Sequence, residues 1–234
     1  MAKEKRASVS EVRADLKEQM ARWGWSKSDI ISMLRGGGTS SKGSTYEREL
    51  CTRFSLWWTN GARDDVFWRS SGSGGRAMVR GRRGRDTAGQ HGDIAATDAA
   101  GAPLTDVVTI EIKRGYSEYT VQDCLDRMNT AAQQEWEKFF EQCIESYENA
   151  GSYAWLLITR RDRREAMVWM PVDLLFELRL RGAFASKPWP FISMSVELRN
   201  SNKAAHAHRI AGMTLDDFFL GVKPSHIIKL SQEE

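Results

Sequence analysis

The chain has 234 residues, enough for one domain of ordinary size with roughly forty residues to spare. Its 41% hydrophobic and 10% aromatic content supports a sizeable core and excludes a wholly disordered chain, while no apolar run reaches the roughly 18–20 residues of a membrane span. Net charge is only +3, and three cysteines (Cys51, Cys124, Cys143) without metal-ligand spacing exclude a zinc ribbon and predict reduced thiols.

In chain order, residues 8–23 set Val9, Val12, Leu16, Met20 and Trp23 at spacings of three and four, which predicts an amphipathic helix. Gly24 ends it, and Ser26 with Asp29 resembles a capping box opening a short helix over 27–34. The segment 35–44 reads as a flexible linker. Residues 1–41 are therefore expected to form a helical hairpin and linker appended to a main domain over 42–234. Such a hairpin suits a dimer contact or the cover of an apolar surface better than DNA binding.

A helix over 45–59 carries Leu50, Phe54 and Trp57 on one stripe, and a short strand follows at 66–69. The loop that extends to about residue 90 interleaves Arg76, Arg80, Arg82, Arg83 and Arg85 with glycines. Of 34 basic residues in the chain, 23 are arginine, the side chain best shaped for bidentate phosphate contact. This loop suits a phosphate backbone; the alternative is a solvated surface loop. Residues 93–97 and 107–113 are expected to pair as strands across a turn at 98–103. A long helix over 120–149 and strands at 153–159 and 165–170 come next. A helix over 172–180 with Pro171 at its first position, an alternating strand at 191–198 and a terminal helix over 214–220 complete the pattern. Trp57, Trp58, Trp136, Trp155 and Trp169 read as core. The sum is a mixed α/β domain.

The chemistry concentrates in one place. Asp93 opens a strand after Gly92, and Glu111 and Lys113, two residues apart in the next apolar strand, project from one face. Charged side chains in an apolar strand are costly unless something binds them. A hard divalent cation would satisfy Asp93 and Glu111, because Mg²⁺ prefers carboxylate oxygens and water. Lys113 would then stand where it can orient the attacking water and stabilise developing phosphate charge, as a phosphodiester hydrolase requires. The plain alternative is a cross-strand ion pair at a sheet edge. Asp15-Leu16-Lys17 has the same spacing on a solvated helix face, so the triplet alone decides nothing.

The segment Lys42-Gly43-Ser44-Thr45-Tyr46-Glu47-Arg48-Glu49-Leu50, followed in order by Arg69-Ser70-Ser71-Gly72-Ser73, Gly92-Asp93-Ile94 and Glu111-Ile112-Lys113, resembles the archaeal-type Holliday-junction resolvases of the PD-(D/E)xK nuclease superfamily. The resemblance covers residues 42–115. It implies a restriction-endonuclease-like mixed sheet with an αβββαβ core, here with an N-terminal helical extension. By it, Asp93 and Glu111 hold Mg²⁺ (with Mn²⁺ able to substitute), Glu47 completes the metal site, and Lys113 is the catalytic lysine. Arg48 and Arg69 fall at positions associated with DNA phosphate contact, alongside the arginine-rich loop. The expected protein is a cytoplasmic, bacterial or phage-encoded homodimer that cuts DNA, branched or duplex, in recombination, packaging or repair. Gln133 or Gln134 stands where some superfamily members carry a glutamine near the site, but an exposed polar helix face is the favoured reading. The loop between Arg69 and Asp93 and everything beyond Ser117 exceed the compact resolvases. A catalytically silent DNA-binding module and an enzyme acting on RNA remain as alternatives.

Overall fold

A computed structural model describes residues 39–70, 91–126, 132–186, 188–199 and 205–232. The expected N-terminal hairpin and the arginine-rich loop, with Arg76, Arg80, Arg82, Arg83 and Arg85, lie outside the described residues.

Helix α1 (Thr39–Trp58) begins within the segment expected to be a linker. Its buried stripe is Tyr46, Leu50, Phe54 and Trp58, each four residues apart, so the helix meets the core along one line. Trp57, placed on that stripe by its sequence spacing, is instead half-buried and its indole donates to the Val222 carbonyl at 2.9 Å. Asn60 and Gly61, both at positive φ, end the helix, and the Gly61 amide returns to the Leu56 carbonyl.

Strands β1 (Phe67–Arg69) and β2 (Ile94–Ala96) pair antiparallel with each other. This corrects the expected ladder between 93–97 and 107–113. Residues 98–103 are no simple turn: Asp98 caps a 3-10 turn, Ala99–Gly101, which runs into helix α2 (Ala102–Val107). Strand β3 (Val108–Gly115) follows directly. Its alternation puts Val108, Ile110 and Ile112 against α1's cluster and leaves Thr109, Glu111 and Lys113 for the opposite face.

The long helix expected over 120–149 is shorter. Val121–Cys124 is a 3-10 turn, Leu125 is exposed, and helix α3 is Glu135–Ala150. The reason is a start signal at Gln134. The Gln134 side chain and Glu137 cap each other's backbone, so the helix opens there. The fully buried Glu137 also accepts from the Arg199 amide at 2.9 Å. Gly151, at φ +66°, closes α3.

Strand β4 (Ala154–Arg161) is parallel to β3, with Lys113 opposite Thr159 and Gly115 opposite Arg161. β5 (Ala166–Pro171), helix α4 (Val172–Leu180) and β6 (Ile192–Arg199) fall close to expectation, although Pro171 caps α4 rather than opening it. The stretch read as polar is a ten-residue strand, β7 (Ala205–Thr214), inserted between β5 and β6 in the sheet. Its first half is exposed and polar, which hid the period-two signal. Helices α5 (Leu215–Gly221) and α6 (Pro224–Ser231) follow, the second unanticipated.

The five-stranded sheet runs β3-β4-β5-β7-β6. Alternate residues of β4 divide between its faces. Ala154, Leu156 and Ile158 join the cluster built from α1 and the C-terminal helices, whereas Trp155 and Leu157 pack under α3 with Trp136, Phe139 and Phe140. Trp58, Trp136, Trp155 and Trp169 are buried, and all three cysteines are free and buried. The order α1–β1–β2–β3–α3–β4 is the αβββαβ core of a restriction-endonuclease-like fold, with α2 inserted before β3. Among the described residues no helix is long and apolar enough to cross a membrane.

Candidate active site

Gly92 sits at φ +73°, and a Cβ there would lie 2.7 Å from the Ile110 carbonyl oxygen. Only glycine tolerates both that conformation and that approach. It lets Asp93 grip the edge of β3 twice: its amide donates to the Ile110 carbonyl at 2.7 Å, and its Oδ2 accepts from the Ile112 amide at 2.8 Å. Oδ1 makes no hydrogen bond among the described residues. Ser70 fixes the same corner, its amide donating to the Asp93 carbonyl at 3.0 Å and its hydroxyl to the Gly92 carbonyl.

Glu111 is 3% exposed on the face of β3 that meets α3. Both of its oxygens are held from that helix, one turn apart. Gln142 Nε2 donates to Oε2 at 2.7 Å and Ser146 Oγ to Oε1 at 2.8 Å. Lys113 Nζ donates to Gln142 Oε1 at 2.7 Å and stands 3.7 Å from Glu111 Oε2. Gln142 thus ties the carboxylate to the ammonium. Glu47, on α1, is ion-paired with Arg69 of β1.

Electrostatics unites these groups. Burial pushes the Glu111 carboxyl up to about 7, and the charge of Asp93 adds to the rise against the opposing pull of Lys113. Asp93 is also raised, first by burial, with Glu47 adding to it while Lys113, the Ile112 amide and Arg69 oppose it. Beneath them the Cys143 thiol is raised well above its ordinary value, and Cys51 is pushed up to about 12, both chiefly by burial. Neither thiol is a nucleophile at neutral pH.

Asp93, Glu111 and Lys113 therefore converge, and Glu47 lies close enough to act on Asp93. Arg69 is drawn to Glu47, and Arg48 is exposed on α1. Neither Gln133 nor Gln134 reaches the site: Gln133 donates to Glu141 and to the Arg199 carbonyl, and Gln134 caps α3. Gln142, on the face of α3 that packs against β3, is there instead. Gln142 and Ser146 were legible only as polar breaks, four residues apart, beside the apolar stripe Trp136, Phe139, Phe140 and Cys143. His206 and His208 lie on β7 opposite Leu198 and Val196.

Among the described residues no three His, Cys, Asp or Glu side chains cluster as a ready-made metal cage. The donor set is instead two buried carboxylates that repel each other, one oxygen of Asp93 without a partner, and a single ammonium between charges that outnumber it. Such a set fits a hard divalent cation that keeps several waters.

No curated protein and no solved structure matches the chain. Residues 38–229 match the family described as "Phage putative PDDEXK endonuclease", a span that takes in all the elements from β1 to α5 and every site residue named above. With Asp93, Glu111 and Lys113 gathered on the strands of a restriction-endonuclease-like core and most of the sequence matched, the chain belongs to this phage PDDEXK endonuclease family.

Proposed function

We propose that the protein is a Mg²⁺-dependent DNA endonuclease that hydrolyses phosphodiester bonds, in which Asp93 and Glu111 are the metal ligands and Lys113 the catalytic ammonium. One observation carries this reading. Two desolvated carboxylates, Asp93 just before β2 and Glu111 on β3, meet a lysine that a helical glutamine holds in place.

Mg²⁺ (or Mn²⁺), when bound, would supply Lewis acidity to the phosphate and favour deprotonation of water. The protein's own groups supply the rest. Lys113, fixed by Gln142, orients the attacking water and offsets charge that accumulates on the phosphate oxygens. Gln142 and Ser146 set the rotamer of Glu111, so its oxygens are pre-positioned. Glu47, gripped by Arg69, serves as the outer carboxylate, for water or a second ion. Arg48, Arg69 and the arginine-rich loop contact the DNA backbone, with Arg69 also paired with Glu47. In-line attack leaves a 5′-phosphate, as the superfamily resemblance implies.

The resemblance of Lys42–Leu50 to the Holliday-junction resolvases supports branched DNA as substrate, and symmetric cutting of two strands calls for a homodimer with two sites. The test incubates the protein with labelled four-way junction, linear duplex and single strands, in Mg²⁺ or in chelator. The proposal expects Mg²⁺-dependent cleavage of the junction. Glu111→Ala and Lys113→Ala should abolish it while DNA binding persists. Cleavage that survives both substitutions refutes the site. Equal cutting of plain duplex refutes junction preference and leaves a phage-type duplex endonuclease. Binding without any cleavage leaves the silent DNA-binding module.

A further inference from the structure

The parallel strands β3 and β4 end together, with Arg114 opposite Arg160 and Gly115 opposite Arg161. A shallow cleft opens there beside Lys113. One wall is aromatic. Tyr116 is 45% exposed and meets the buried Phe139 edge-on, with ring centroids 4.7 Å apart. Phe139 in turn lies 5.8 Å from Lys113 Nζ. Trp136 completes this wall, 5% exposed, and its buried indole N–H has no hydrogen-bond partner. The other wall is cationic. Arg160 is committed to Glu49 at 3.3 Å and to the face of Tyr46, whereas Arg161 is exposed and pairs with no carboxylate among the described residues.

An exposed aromatic beside an unneutralised guanidinium matches a nucleobase and its phosphate, because every base offers a π-face and every nucleotide a negative charge. Paired bases in a duplex present no face to a protein side chain, since stacking covers both sides. Only a base out of the stack can lie on Tyr116.

We propose that an unpaired nucleobase next to the scissile phosphate stacks on the exposed ring of Tyr116 at the rim of this cleft, with Arg161 on the neighbouring phosphate. The substrate class is then DNA with an unpaired nucleotide beside the cut. This rests on the nuclease reading, since Lys113 joins the cleft to the proposed reaction centre.

The test is binding in chelator, which separates it from cleavage. Two oligonucleotide duplexes carry 2-aminopurine, paired in one and unpaired in the other. Wild-type protein is expected to bind the unpaired form about tenfold more tightly, the scale of one base–aromatic stack, and to quench its fluorescence. Tyr116→Ala should erase the preference and the quenching. Tyr116→Phe should keep both. Arg161→Ala should weaken both duplexes and flatten the salt dependence. Equal wild-type affinity for the two duplexes, or an unchanged preference in Tyr116→Ala, overturns the proposal. Wild-type quenching reads the site without any variant, so a variant that misfolds does not protect it. Cleavage without base preference would refute this cleft and leave the nuclease; base preference without cleavage would do the reverse.

Discussion

Replacing Glu111 by glutamine in the metal-free protein should change how stability depends on pH, and the structure fixes the sign. The folded-state pKa of Glu111 is raised from 4.5 to about 7 by burial and by Asp93. A raised carboxyl pKa means that the folded state holds a proton the unfolded chain has released. The associated stability is fully present below about pH 4.5 and is lost as pH rises to about 7. A shift of that size corresponds to about 3 kcal/mol at most, at 1.36 kcal/mol per pKa unit. Glutamine has nearly the same shape and can keep contacts with both Gln142 and Ser146, since each partner is able to donate or accept. Chemical denaturation of wild type and Glu111→Gln in chelator, from pH 4.5 to 7.5, follows Glu111 together with Asp93, to which it is electrostatically coupled. The stability difference should move by about 3 kcal/mol in favour of the variant, roughly 6–12 °C in melting temperature for a chain of this size. Added Mg²⁺ should stabilise wild type more at pH 8 than at pH 5, because protons compete for the same oxygens, and should do little for the variant. A stability difference that does not vary with pH would show that Glu111 is not desolvated as described, and the argument for a cation there would fall with it.

Gln142→Ala, which frees Lys113 and one Glu111 oxygen, should lower cleavage or metal affinity about 10–100-fold with little change in DNA binding; Ser146→Ala should do so more weakly. Steady-state kinetics and a metal titration check this, and wild-type rates in Gln142→Ala would remove the glutamine from the site. Gly92→Ala combines a positive φ with a 2.7 Å contact to the Ile110 carbonyl. Urea denaturation should show a loss on the order of 1–3 kcal/mol, together with lost cleavage as Asp93 is displaced. Gly212→Ala would place a methyl 2.4 Å from the Trp169 ring and should destabilise by a similar amount with a changed tryptophan emission, yet leave the metal response of folded protein intact.

Much of the chemistry was legible in the linear order. The pattern Gly92-Asp93 and Glu111-Ile112-Lys113 announces itself because charges in an apolar strand are costly, and a period of two fixes which side chains share a face. Buried strands such as β4 and β5, and helix α4, were equally plain, since their residues must satisfy burial locally. What the sequence did not determine is where partners from distant segments arrive. The ladder of β2 with β1, the exposed strand β7 inserted between β5 and β6, and the shortened α3 all depend on pairings that no local period encodes. Gln133 and Gln134 drop out because the shortened helix leaves both ahead of its first turn, and Gln142 reaches the site because it lies on the helix face packed against β3. Residue types and spacing determined which groups had to be neutralised. Only the packing of α3 across β3 decided which groups would hold them, because hydrogen bonds between segments some thirty residues apart depend on distances that exist only after the layers close.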